Sequence, residues 1–401
     1  MKILLHIVTF FALTSLAWAG DTKRNGGVVI KCRNSISVFD LYEGKVSYDY
    51  NPRPANGKKH NEIVQEIINT LSAINPSRAA LYQKYLTDFS KESSFAEGVE
   101  FSRIDDLGEG VPVPENCQLM QAAVQFRSTN PMNRWYLFSQ SIWNQLDEKN
   151  KAALILHEFI YRAAYAENND IQNSIGVRHF NSFLQSDLFA KTSLKQYLEV
   201  VGASDFALAE YKGIPISPNA KFLEFADANH LITAGTGKTL SLPNSRLIQN
   251  IKCDSSDTNP SPFTVYFDQD DQGITSIAAG CKMRISLSNE NRQGYIDSDF
   301  IVLDSKNNLH DVVEMRIPDS NDIGFSYLSK DLILNSSASN TASIRFGPHE
   351  QVTQISMIIT SPLGEARSSL WYKTQNVSLS AKPAITVYFN DREEPERLSP
   401  E

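Results

Sequence analysis

Lys151-Ala-Ala-Leu-Ile-Leu-His157-Glu158-Phe-Ile-Tyr161-Arg162-Ala-Ala-Tyr165 is apolar at nearly every position from Ala152 to Ala166, so a helix wound through it offers no face to water. A helix that is apolar all round belongs inside a core. Asp147 suits the N-cap, which places this helix over Glu148 to Glu167. Only His157, Glu158 and Arg162 interrupt the apolar surface, and a charge enclosed by protein must be paired or bound to a metal. Glu158 and Arg162 stand at i and i+4, where a glutamate ahead of a basic residue forms a favourable pair. Arg178 is a second candidate for the same carboxylate. On this reading His157 is a neutral core histidine held through one ring nitrogen, and the network locks two helices together.

Upstream of that helix, Gly26 to Cys32 and Ile36 to Asp40 read as two short strands joined by Arg33-Asn34-Ser35. Ile63, Ile67, Leu71 and Ile74 then recur at helical spacing. Leu81, Tyr82, Tyr85, Leu86 and Phe89 do the same after Asn75-Pro76, a cap followed by a first-turn proline. Strands are expected around Phe101 to Ile104, Leu119 to Phe126 and Arg134 to Phe138. Ser174 and Ser193 suit the caps of two further helices, the second ending at Gly202. Residues 20–215 thus read as an α+β domain with a small sheet and about five helices, and 216–250 as a linker or boundary region without a firm period.

From 251 to 390 the pattern changes to short β-branched and aromatic runs, from Phe263 to Phe267 through to Ile385 to Phe389, separated by turn-rich spacers such as Asn335 to Asn340. Eight to ten strands at this spacing point to an all-β antiparallel sandwich. The polar tail, 391–401, reads as disordered.

Residues 1–19 carry a basic start, an apolar run from Ile3 to Leu16 and Ala17-Trp18-Ala19, the small-x-small pattern of a signal-peptide cleavage site, so the mature chain is expected to begin at Gly20 and to be exported to the periplasm or outside the cell. No other apolar run reaches the roughly 20 residues a membrane span needs. Export allows disulfides, and the four cysteines pair most simply within each half, Cys32 with Cys117 and Cys253 with Cys281, although four thiols permit three pairings. No Cys-x-x-Cys spacing suggests a zinc ribbon. The net charge of −8 is spread along the chain without a basic patch, which argues against a nucleic-acid partner.

The run from Leu146 through Asn150 into Ala-Leu-Ile-Leu-His157-Glu158 resembles the active-site helix of zincin metallopeptidases. That family places two imidazoles one turn apart on zinc with a His-Glu-x-x-His motif and uses the glutamate as general base. Here the second histidine position is Tyr161. The resemblance implies a degenerate site in which His157 and His179 are the candidate zinc ligands and Glu158 and Tyr161 the candidate catalytic groups. A second resemblance covers roughly residues 20–190. Gly26 to Cys32, Asp40-Leu-Tyr-Glu43, the His-Glu-x-x-Tyr-Arg helix and Asn173-Ser174-Ile-Gly-Val177-Arg178-His179-Phe-Asn181 are similar to a group of uncharacterised exported proteins of predatory bacteria, which carries no activity with it.

Weaker patterns complete the reading. Gly235-Thr-Gly237-Lys238-Thr239 has the end of a phosphate-binding loop without its first glycine, and a polar hairpin is expected there. Asp268, Asp270 and Asp271 are spaced like part of a calcium loop, but the position of its closing glutamate is Ala279. Asp105, Asp106 and Glu109 read as a solvated acidic loop. The expectation is a non-catalytic binding or envelope-associated protein without a cofactor, whose sandwich presents loops to a surface protein, a peptide or a glycan. The alternative is a secreted zinc-dependent hydrolase acting on peptide or cell-wall material.

Overall fold

A computed structural model describes residues 23–24, 27–33, 35–99, 101, 111–126, 135–167, 173–206, 209–217 and 223–236. Beyond these it describes the strand segments 239–240, 248–253, 263–267, 274–289, 292–303, 313–317, 325–329, 332–336, 341–346, 352–358, 369–372, 375–378, 384–389 and 395–400. The chain forms two units. The first comprises Met1–Glu66, Tyr82–Tyr165 and Asp170–Ser186, and the second comprises Ile67–Leu81, Ala166–Asn169 and Asp187–Glu401.

The first unit is α+β. Its strands are β1 (Lys23–Arg24), β2 (Val28–Cys32), β3 (Ser35–Val38), β4 (Ser93–Ala96), β5 (Cys117–Gln121), β6 (Ala123–Phe126) and β7 (Tyr136–Ser139). They make an antiparallel sheet of order β3-β2-β5 and a mixed sheet of order β1-β6-β7-β4, in which only the β4–β7 pair is parallel. The helices are α1 (Phe39–Tyr48), α2 (His60–Ser72), α3 (Pro76–Glu92), α4 (Gln140–Trp143), α5 (Glu148–Glu167) and α6 (Ile175–Gln185), with α2 and α3 running on into the second unit.

Helix α5 has the expected bounds and burial, with every residue from Ala152 to Tyr161 enclosed. Asp147 caps it, accepting from Asn150 N at 2.8 Å. Phe159 of α5, Phe89 of α3, and Tyr136 and Phe138 of β7 form an edge-to-face and tilted aromatic cluster with centroids 5.7 to 6.5 Å apart, the spacing at which ring quadrupoles attract. Helix α1 is the main departure. Strand β3 ends at Val38 instead of continuing to Asp40, and a helix without an amphipathic period begins at Phe39. Asn150 marks the junction by accepting from Val38 N at 2.8 Å, and Asp49 ends the helix in the left-handed region at φ 55°. Ser174 precedes α6 but makes no side-chain cap. Of the strand expected from Phe101, that residue bridges Gln121, and 102–104 lie outside the described residues.

In the second unit, α7 (Leu194–Ala203) opens with a capping box between Ser193 and Gln196 and runs one residue past Gly202. All the strand pairs that follow are antiparallel. Among the described residues, sixteen strands form one connected sheet system that branches at the hairpin of Ile274–Asn289 and Arg292–Leu303. Ile274–Asn289 is one continuous strand, and Leu332–Ser336 and Gln375–Ser378 are strands as well. The 216–250 stretch contributes strands of its own, including Leu231–Thr236. Pro395–Pro400, expected to be a disordered tail, pairs with Ala384–Phe389, because backbone pairing on a sheet edge needs no apolar side chains. Gly237-Lys238, the calcium-like loop at 268–271 and the acidic loop at 105–109 lie outside the described residues. Among the described residues no helix is long and apolar enough to cross a membrane.

Cys32 and Cys117 are register partners on β2 and β5 and form the expected disulfide, closing a sequence separation of 85 residues. The strands that carry Cys253 and Cys281 are neighbours, but the pairing of their side chains lies outside what is described. Closing a loop of that length restricts the unfolded chain by about 4.5 kcal/mol on the chain-entropy model. Denaturant unfolding of Cys32→Ser beside the oxidised wild type should therefore show a loss of about 3 to 4.5 kcal/mol at unchanged m-value.

Candidate functional site

The sequence segments that carry the second resemblance meet in the first unit. Helix α1 brings Asp40 and Glu43 to one face, three residues apart, and this face packs on α6. The approach is close enough that a Cβ on Gly44 would stand 2.3 Å from Ser182 Cβ, so glycine is required there. Asp40, wholly buried, takes His157 Nδ1 of α5 at 2.8 Å and Asn181 Nδ2 of α6 at 2.6 Å on the same carboxylate oxygen. Asn181 Nδ2 also donates to Ala153 O at 2.9 Å, so three helices share one polar junction.

The charged residues of α5 and α6 have partners different from those their spacing suggested. Glu158, with no exposure to solvent, accepts from Gly27 N at 2.6 Å, while its backbone carbonyl accepts from Gln125 Nε2 at 2.7 Å. Gly27 fits because a Cβ there would meet Leu154 Cδ1 at 2.1 Å. With Glu158 turned to the start of β2, the expected i,i+4 pair with Arg162 does not form. Arg162 is part-exposed at 15 % and pairs with Glu92 of α3 at 2.6 Å, donates to Tyr136 Oη at 3.1 Å, and lies 4.1 Å from the ring centroids of both Tyr85 and Trp135. Its long stem reaches that wetter, aromatic-lined position, while Glu158 stays wholly enclosed. Arg178 likewise pairs with Glu43, Nε to Oε2 at 2.5 Å, and its Nη1 takes Ser174 Oγ at 2.7 Å, which uses the oxygen expected to cap α6.

The protonation states follow from this geometry. Burial alone would raise Asp40, but the His157 imidazole, Asn181 and Arg178 outweigh it and hold the carboxyl below its ordinary value. Burial pulls His157 down, and Asp40 outweighs that and leaves it raised. Each partner thus favours the charged form of the other, against the burial that favours both neutral. Glu158 is raised by burial, which His157 and the Gly27 N–H reduce without reversing. His157 Nε2 and Glu158 Oε2 have no hydrogen-bond partner among the described residues.

His179 is placed in an aromatic stack, 4.0 Å from Tyr48 and 5.9 Å from Tyr50 between centroids, with Nε2 3.3 Å from the Tyr50 hydroxyl. Burial lowers its pKa to about 4. Tyr161 lies parallel to His157 at 6.3 Å. For zinc, His157 has the orientation a ligand needs, Nδ1 held by a carboxylate and Nε2 left over. The remainder of a zincin donor set does not fit, since Tyr161 stacks on the ring, His179 Nε2 is engaged by Tyr50, and Glu158 is anchored on Gly27. Among the described residues no group of three or more His, Cys, Asp and Glu is placed to hold a metal.

No family, curated protein or solved structure matches this chain. The site is therefore read from its own geometry.

Two outcomes follow. Asp40→Ala removes the only described hydrogen-bond partner of the buried His157 ring and should cost about 3 to 5 kcal/mol in denaturant unfolding. His179 titrates near its ordinary 6.5 when unfolded and near 4 when folded. The native state then binds fewer protons between those values, and the stability this supplies is present above pH 6.5 and lost as pH falls toward 4. The raised His157 has the opposite sign, its contribution being full below about pH 6.5 and lost as pH rises through its folded value. Subtracting His179→Phe from wild type, at pH 7 and again at pH 4.5, should isolate the His179 component as a steeper acid loss in the wild type.

Proposed function

We propose that the chain is an exported, non-catalytic binding protein whose first unit is a scaffold. The observation that carries this reading is that the polar side chains of the His-Glu-x-x-Tyr-Arg helix are spent on residues distant in sequence: His157 on Asp40, Glu158 on Gly27 and Arg162 on Glu92. A reaction centre needs at least one such group open to substrate, and His157 and Glu158 are 1 % and 0 % exposed. The antiparallel strands of the second unit, branching in two directions from one long hairpin, support the sandwich reading. The loops of such a domain would contact a surface protein, a peptide or a glycan at the envelope. Export is supported by the Cys32–Cys117 disulfide, which persists in oxidising compartments.

The rival reading, a zinc-dependent hydrolase of peptide or cell-wall material, is supported by one observation, the oriented His157 with an unengaged Nε2. Metal content by mass spectrometry separates the two. Mature protein purified without chelator or metal-affinity tag should contain no stoichiometric zinc, and His157→Ala should lower the melting temperature without changing metal content. Near-stoichiometric zinc that disappears in His157→Ala would replace the scaffold reading with the hydrolase.

A further inference from the structure

The second unit contains a cavity of about 250 Å³ at the start of α3, walled by Leu81, Ala209 and Pro215 and reached by the side chains of Arg78, Glu167 and Glu210. Its electrostatics are decided by which of these charges is already balanced. The Arg78 charge is paired with Glu167: Nη2 is 3.1 Å from that carboxylate, the guanidinium carbon lies 5.2 Å from the Phe206 ring centroid, and the Tyr197 hydroxyl shares a further hydrogen bond with the side chain. Asn75 sets this corner by accepting from Arg78 N at 3.0 Å and donating to the Tyr197 hydroxyl at 3.1 Å. Glu210 is different. Its only described hydrogen bond is to Ser77 N, at 3.0 Å through Oε2, and it has no cationic partner among the described residues although it is 8 % exposed.

We propose that this cavity binds an alkylammonium group, with Glu210 as its counter-ion. A carboxylate so far removed from water is costly until it is paired, and with Arg78 and Glu167 cancelling, the wall has one uncompensated negative charge. An anionic ligand meets that charge unfavourably. A divalent cation finds one carboxylate where it takes six or more oxygens. The volume is below the 300 to 1,000 Å³ of sites for drug-sized ligands, so the occupant is the size of one side chain. A primary ammonium on a short alkyl chain meets both requirements, its methylenes against Leu81, Ala209 and Pro215 and its head on Glu210. Free alkylamines and the lysine side chain of a peptide present the same chemistry.

The test is calorimetric titration of the full chain with n-butylammonium, with Nα-acetyl-lysine N-methylamide, and with n-butanol as the uncharged control. Saturable binding of n-butylammonium is expected, with none for n-butanol. Glu210→Gln keeps an oxygen for Ser77 N and should keep the melting temperature while weakening binding about tenfold or more. Leu81→Phe, which fills the cavity and leaves the charge, should weaken binding as well. Binding of the lysine derivative would support the proposal with a peptide as source, and binding of the free amine alone would support it with a small amine. No saturation by either amine, or equal affinity in Glu210→Gln, would overturn it.

Discussion

The first unit depends on a carboxylate that has lost its water. Asp40 is completely enclosed between three helices, and such a charge persists only where nearby donors and a cation replace hydration. His157 and Asn181 both meet its Oδ2, so α1, α5 and α6 must arrive together in one relative placement. A purely apolar contact tolerates sliding by part of a turn, whereas this junction is lost by it. Glu43 with Arg178 repeats the constraint one turn further along α1, and Gly44 enforces the close approach that brings both pairs within reach.

The same reasoning explains why a helix resembling a peptidase active site is not arranged as one. In a hydrolytic centre the glutamate must reach a water on the reacting atom. Here Glu158 is turned to the amide of Gly27 and raised by burial, so it joins a strand to a helix. Arg162, one turn on, leaves the core for Glu92 and two aromatic faces. His157, Glu158 and Arg162 thereby tie α5 to three different neighbours: α1, the start of β2, and α3. Buried ionic groups are weak evidence for net stability, but their separate directions constrain how the helix sits.

The chain also shows how unequal the readability of its parts is. Helix α5 was legible to the residue because its capping aspartate and uninterrupted apolar run are local signals. The Cys32–Cys117 bridge was legible as one of three pairings. Helix α1 was not, because Phe39 to Tyr48 has no amphipathic stripe and starts directly from a strand, its first turn held by Asn150 from a distant element. Asp40 and Glu92 were equally silent as partners. Nothing local distinguishes an acid that will be enclosed from one that will be solvated, and the only hint was arithmetic: a buried helix carrying His157 and Arg162 requires carboxylates from elsewhere.

By itself, then, the sequence determined that α5 is a core helix, that its three polar residues require compensation, and that a helical region gives way to strands, because these follow from periodicity and from the cost of burying charge. Tertiary structure alone decided which carboxylate meets which cation. Glu158 and Arg162 are adjacent on one helix, yet each is drawn to a partner at least 70 residues away, since a hydrogen bond is chosen by the space the packed elements leave and sequence spacing only offers candidates.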